Sequence, residues 1–204
     1  MLLFDFDGVL ADSLHIYTEI CTQAAQNQGY QAELPPNPFA ELDKITFEAL
    51  ALQLGLCPST FTADATLLLK QRRDIAPTFV GMIETLRRLS SETPLGILSA
   101  SPKAFIQRFI GYHEISEFFS VLLTRDDPGT KAEKIIAIRQ QGTYSPLALV
   151  GDGVSDISAA ASAGISSIGV SWGWQMPEKL QNAGADFIAE TPAQIQTFLS
   201  YLQT

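Results

Sequence analysis

Apolar runs and polar breaks alternate along this chain in a regular way. Leu2-Leu3-Phe4 opens it, and Asp5, Asp7 and Gly8 interrupt the run almost at once. An apolar run bounded by a glycine predicts a buried strand that ends in a loop. Residues 94–99, 121–124, 147–150 and 167–170 repeat that signature, and 187–189 offers a sixth strand. Between the strands, apolar residues recur at helical spacing. Phe79, Ile83, Leu86 and Leu89 form one such set; Phe105, Phe109 and Ile110 form another. Ala132, Ile135, Ile136 and Ile138 come next, then the small-residue stretch 157–163, and Ile195, Phe198, Leu199 and Leu202 close the chain. Strands alternating with helices predict a parallel sheet with right-handed crossovers.

Residues 14–78 break the alternation. Ile16, Ile20, Cys21 and Ala24 predict a helix stopped near Gly29, and Pro35-Pro36-Asn37-Pro38 predicts a loop. Phe39, Leu42, Phe47, Leu50 and Leu54 predict one or two more helices ended by Gly55, and Phe61, Ala65, Leu68 and Leu69 another. About 60 residues is long for a plain connection in an α/β unit. An insert after the first strand lies over the carboxyl edge of the sheet, where a lid would exclude water and choose a substrate.

Composition narrows the function classes. A chain of 204 residues allows one sizeable domain, or a core with a smaller insertion. A formal net charge of −9 argues against sequence-independent nucleic-acid binding, which needs a basic footprint. No stretch approaches a membrane span, and the first apolar run lacks the basic flank of a signal peptide. Cys21 and Cys57 form no CxxC pattern and read as reduced thiols packed inside a cytoplasmic protein.

The candidate chemistry lies where the strands end. Side chains on a strand alternate faces, so Asp5 and Asp7 point the same way. Two carboxylates at 4 Å repel by about 4 kcal/mol at an effective dielectric of 20. A divalent cation relieves that repulsion, and carboxylate oxygens suit Mg²⁺. A second acidic motif, Gly151-Asp152-Gly153-Val154-Ser155-Asp156, comes after the fourth predicted strand. Its glycines let the backbone turn sharply and come close to a ligand. Asp156 falls in the first turn of the next helix, where the dipole also favours a negative charge. Ser99, with Ser101 nearby, ends the second strand and offers a hydroxyl to a phosphate oxygen. Lys131 opens a helix after the loop 126–130 and offers an ammonium to the same group; Lys134, one turn on, competes for that role.

Asp5-Phe6-Asp7-Gly8-Val9-Leu10, Ser99, Lys131 and the run Gly151 to Asp156, in this order, resemble the haloacid dehalogenase superfamily of phosphohydrolases. The insert is similar to that superfamily's C1 cap. The stretches 79–101 and 151–173 are similar to the phosphoglycolate phosphatase-like and β-phosphoglucomutase-like branch. The resemblance implies an α/β fold: a Rossmann-like parallel-sheet core over residues 1–13 and 79–204, with an inserted α-helical cap domain over 14–78. It implies that Asp5 is a nucleophile forming an aspartyl-phosphate. Asp7 then serves as the acid that protonates the leaving alcohol and the base that activates water. Mg²⁺ falls to Asp5, the backbone carbonyl of Asp7 and Asp152, with Asp156 supporting it directly or through water. Ser99 and Lys131 hold the transferring phosphoryl group.

The resemblance thus implies a Mg²⁺-dependent phosphatase acting on a small phosphorylated metabolite, phosphoglycolate-like or sugar-phosphate-like, as a cytoplasmic monomer or homodimer. Val9, where many relatives carry threonine, leaves a phosphomutase of the β-phosphoglucomutase type as the alternative, and a non-catalytic sensor of the same fold as a second. Ala100 replaces a common asparagine after Ser99, and no proline comes after Lys131. His15 and Lys44 are candidates to face the site from the insert, with a surface role the stronger reading for each. Trp172 and Trp174 are candidates for its rim, with packing the stronger reading.

Overall fold

A computed structural model describes residues 1–202. Strand β1 (Leu2–Phe4) is followed by helices α1 (Leu14–Asn27), α2 (Phe47–Gln53) and α3 (Pro58–Gln71). Then come α4 (Met82–Glu92), β2 (Leu95–Leu98), α5 (Lys103–Tyr112), a short 3-10 turn, β3 (Phe119–Leu123) and α6 (Lys131–Gln140). The chain continues through β4 (Ala148–Gly151), α7 (Val154–Ala163), β5 (Ser166–Val170), α8 (Pro177–Asn182), β6 (Phe187–Ala189) and α9 (Gln194–Leu202). All six strands predicted from the apolar runs are present. Helix α8 carries only six residues, too few for a periodic signal, and sequence patterning did not disclose it. Phe39, in a turn, and Leu42, in irregular chain just after it, are grouped with the second predicted helix but lie before α2.

The strands form one parallel sheet in the order β3-β2-β1-β4-β5-β6. Strand β1 is central, with Phe4 level with Ile97 of β2 on one side and Val150 of β4 on the other. The winding reverses between β1 and β4, and doubly wound sheets bind ligands at that crevice, outside the carboxyl ends of the strands. Alternation along β1 sends Leu2 and Phe4 to one face and Leu3 to the other. The first face packs against α4, α5 and α9 through residues such as Leu86, Phe109 and Leu199. The second is covered by α6 and α7 through Ile135, Ile138, Ala159 and Ala160. Small residues on α7 let it sit close against β4 and β5.

Helices α1 and α2 each pack on α3, and their buried residues Ile20, Leu50 and Phe61 join the same apolar cluster as Phe4 and Phe109. Further contacts tie this insert to the loop after β5 and to α8. The Asn37 side chain donates to the Trp174 carbonyl (2.6 Å), and both Gln175 Nε2 (2.5 Å) and Lys179 Nζ (2.7 Å) donate to the Leu42 carbonyl. Phe39 stacks on Trp174 with ring centroids 4.9 Å apart. Among the described residues, no helix is long and apolar enough to cross a membrane.

Candidate active site

Asp5 comes directly after β1, and its backbone N–H donates to Val150 of β4 (2.8 Å), so the ladder carries it to the switch point. Its Oδ1 accepts from the N–H of Phe6 (2.7 Å), which leaves Oδ2 for the Lys131 ammonium at 2.8 Å. The chain then turns through Gly8, whose φ of 76° lies in the left-handed region. A side chain at Gly8 would overlap the Asp152 carboxylate, and one at Gly173 would overlap it from another side. Glycine at both positions is what allows Asp152 to be enclosed so tightly.

Asp152 comes directly after β4 and is 2% exposed. Its Oδ2 accepts from the N–H of Trp174 (2.8 Å). Burial, and then the charges of Asp5 and Asp156, push its carboxyl well above the ordinary range. Asp156, in the first turn of α7, accepts from the N–H of Gly153 through Oδ2 (3.1 Å) and from Lys131 through Oδ1 (2.6 Å). The cap and the ion pair therefore coexist. Asp5, Asp152 and Asp156 each offer an oxygen within 4.8 Å of the others. Burial raises Asp5 to about 7, with Lys131 opposing and Asp156 adding to the shift. An all-oxygen set whose charges are held against their environment is what a hard divalent cation relieves, and these residues fit Mg²⁺.

Lys131 is the first residue of α6. Thr130 caps that helix reciprocally: its Oγ1 accepts from the N–H of Glu133 (3.2 Å), and its own N–H donates to Glu133 Oε2 (2.7 Å). The capped turn fixes the root of Lys131. Burial works against the lysine's charge, but Asp156 and Asp5 outweigh it and raise the ammonium above its usual range. The competing Lys134 is buried elsewhere, donating to the Thr124 carbonyl at 2.6 Å. Of the two candidates, Lys131 alone lines the central cavity.

Asp7 faces a different set of partners. Its Oδ1 accepts from Ser13 (2.7 Å); its Oδ2 accepts from Ser101 (2.5 Å) and from the Tyr17 hydroxyl (3.3 Å). Its carboxylate stands outside the three-acid group. Burial raises its carboxyl, and the hydroxyls of Ser101, Ser13 and Tyr17 partly offset this. Ser99, 3% exposed, accepts from the N–H of Ser101 (3.0 Å). Asp5, Asp7, Ser99, Lys131, Asp152 and Asp156 all line one cavity of about 320 Å³, roofed by the insert. His15 and Lys44 are exposed and do not line it. Trp172 donates to the Val9 carbonyl (3.3 Å) away from it, whereas Trp174 does line it.

Sequence reasoning passed over Tyr17 and gave Ser101 only a neighbour's place. The signal for Tyr17 was present: it stands one helical turn after Ser13, so the two hydroxyls share a face and meet one carboxylate. Gln175 was also missed. Its side chain accepts from the N–H of Val154 (2.7 Å) and donates to the insert, and no local pattern announces such a bridge.

A doubly wound sheet with this acidic switch point and this roof defines a Rossmann-like α/β enzyme. Residues 2–170 match the family model described as haloacid dehalogenase-like hydrolase, and the chain belongs to that family. Within it, the similarities point to the phosphoglycolate phosphatase-like branch. The chain is 28% identical over 200 residues to a phosphoglycolate phosphatase of Synechococcus elongatus, covering 95% of this chain and 94% of that protein. It is 26% identical over 214 residues to the Vibrio cholerae phosphoglycolate phosphatase, covering 93% and 92%. The crystal structure of a predicted phosphatase from Clostridium acetobutylicum matches with a TM-score of 0.82 at 19% identity, over 98% of this chain and 97% of that one. That likeness shows the fold.

Proposed function

We propose that this protein is a Mg²⁺-dependent phosphatase that hydrolyses a small phosphorylated metabolite through an aspartyl-phosphate on Asp5. The observation that carries the reading is the Lys131 ammonium held between Asp5 (2.8 Å) and Asp156 (2.6 Å) beside Asp152. Phosphoryl transfer asks chiefly for positioning and charge neutralisation, and this arrangement supplies both. Residues 1–13 and 79–204 serve as the catalytic core and 14–78 as its cap. A reduced, cytoplasmic enzyme is in keeping with two free cysteines.

Asp5, anchored through Oδ1, attacks phosphorus, and the bond to the leaving alcohol oxygen breaks. Asp7, oriented by Ser13, Ser101 and Tyr17, gives that oxygen its proton. The same carboxylate then takes a proton from water, which attacks the phosphorus of the aspartyl-phosphate; inorganic phosphate leaves and Asp5 is restored. Lys131 and the Ser99 hydroxyl hold the phosphoryl oxygens through both steps. Asp5, the Asp7 carbonyl, Asp152 and Asp156 would hold Mg²⁺, which when bound neutralises phosphoryl charge and steadies the in-line geometry.

The test is release of phosphate from p-nitrophenyl phosphate. Activity is expected with Mg²⁺, lost with EDTA and restored by excess Mg²⁺. Asp5→Asn is expected to lower kcat by about a thousandfold or more. An Asp5→Asn protein that keeps its turnover would refute the reading.

A further inference from the structure

We propose, resting on the Mg²⁺ part of the reading above, that the insert sets how tightly the acid cluster holds its metal, acting through Trp174 and Gln175. These consecutive residues lie on the loop after β5, and each grips the acidic motif on one side and the insert on the other. The Trp174 backbone N–H donates to Asp152 Oδ2 (2.8 Å), and its carbonyl accepts from the Asn37 side chain (2.6 Å). The Gln175 side chain accepts from the N–H of Val154, the first residue of α7 (2.7 Å), and donates to the Leu42 carbonyl (2.5 Å). Lys179 of α8 donates to that same carbonyl (2.7 Å). Asn37 also accepts from the Phe39 N–H through Oδ1 (3.0 Å), so both ends of its amide are held. Residues 37–42 thereby reach, through two adjacent relays, the segment that supplies Asp152 and Asp156.

Packing and charge turn these contacts into coupling. Trp174 is 5% exposed and Gln175 1%, so water does not replace a hydrogen bond lost from the bridge. Phe39 and Tyr17, both of the insert, pack on the Trp174 ring with centroids at 4.9 and 5.0 Å. Ile45 lies so close to Gly153 that a Cβ there would sit 3.2 Å from its Cδ1. Lys131 pairs with Asp5 and Asp156, which leaves the Trp174 N–H to hold Asp152 near them. Like charges drive these carboxylates apart when no cation joins them, and the bridge opposes that spreading. Loosening the insert's grip lets Asp152 swing outward, and a metal that must draw it back binds less tightly. Groups that orient a metal's ligands without binding the metal change its affinity by about 10- to 100-fold. Asn37, Trp174 and Gln175 are positioning residues of that kind, with Asn37 one step further out. Coupling is reciprocal, so Mg²⁺ in turn holds the insert against the core.

The experiment titrates MgCl₂ into the metal-free, full-length protein and reads Kd by isothermal titration calorimetry. Asn37→Ala, which removes the insert's donor to Trp174, is expected to weaken Mg²⁺ about three- to tenfold, and Gln175→Ala by about tenfold or more. Gln28→Ala is the control. It removes a hydrogen bond within the insert, from the Cys57 N–H at 3.1 Å, and is expected to stay within about twofold of wild type. In the wild type, hydrogen exchange over residues 37–46 is expected to slow about three- to tenfold when MgCl₂ replaces EDTA, and to slow more than over α4. If the wild type binds Mg²⁺ and Asn37→Ala keeps the same Kd, the coupling is wrong and the metal reading stands. A loss in Gln28→Ala equal to that in Asn37→Ala overturns the coupling likewise, as does exchange over 37–46 that slows no more than over α4. If the wild type takes up no Mg²⁺, the metal reading falls, and the coupling falls with it.

Discussion

Replacing Lys131 with methionine removes the ammonium that sits among the clustered carboxylates while keeping most of the side chain's length. The geometry sets the scale. Contacts of 2.8 Å to Asp5 and 2.6 Å to Asp156 are each worth about 6 kcal/mol at an effective dielectric of 20. Desolvation offsets much of this, because the side chains of Lys131, Asp5 and Asp156 are only 17%, 14% and 2% exposed. The net cost of breaking such a buried pair from one side is ~3–5 kcal/mol, most of it from carboxylates left without a counter-charge. With a urea m-value of ~2.5 kcal/mol per molar, the midpoint in EDTA falls by about 1–2 M. Equilibrium urea unfolding followed by circular dichroism measures it. Removing the Asp156 charge as well restores part of the loss, so Lys131→Met/Asp156→Asn is more stable than Lys131→Met alone. A Lys131→Met protein within ~1 kcal/mol of wild type in EDTA would refute this charge balance. So would a double variant less stable than the single one.

The metal-free protein should lose stability as pH rises from about 4 to about 7. Burial lifts Asp5 from 3.8 to about 7, so in that window the folded state binds more protons than the unfolded state, and Asp7 and Asp152 shift in the same direction. Asp74 and Asp127, held below their ordinary range by Arg72 and by the Thr124 N–H, work oppositely, but only below pH 4. In EDTA the Tm should therefore be lower at pH 8 than at pH 5, and Mg²⁺ should raise it more at pH 8; an equal or higher Tm at pH 8 in EDTA would contradict this. Cys21 is buried as expected, but Cys57, expected inside as well, is exposed just before α3; the hydroxyls of Ser59 and Thr60 lower its thiol to about 7, and burial pushes Cys21 up to about 12. Iodoacetamide should label Cys57 with half-maximal rate near pH 7 and leave Cys21 untouched in the native protein; a midpoint near 9 for Cys57 would be the wrong answer.

Much of the site was legible because the sheet places it. Asp5, Ser99 and Asp152 each come directly after the last residue of a strand, and short apolar runs betray those strands. Lys131 was legible as the first residue of a helix after a loop, and choosing it over Lys134 needed the structure, since both stand on α6 one turn apart. The two aspartates of the first motif were expected to share a face as if the strand continued. Strand β1 instead ends at Phe4, and the turn through Gly8 sends Asp7 to Ser101 and Tyr17 rather than to the acid cluster. Trp174 packs against Phe39 and Tyr17, in keeping with a packing role, yet its backbone N–H also holds Asp152. A backbone contact of that kind leaves no mark on residue type. The links from Asn37 and Leu42 to the loop after β5 span more than 130 residues, and periodicity within a window says nothing of them.

In the catalytic cycle we propose, transfer of the phosphoryl group to Asp5 comes first, and every later step depends on it. Quenching a turnover of p-nitrophenyl phosphate with acid within milliseconds, then mapping the protein by mass spectrometry, reads this transfer directly. An acid-stable, hydroxylamine-sensitive phosphate on the peptide carrying Asp5, present with Mg²⁺ and gone in Asp5→Asn, is the expected result. Phosphate on any other residue, or full hydrolysis by the Asp5→Asn protein, would contradict it.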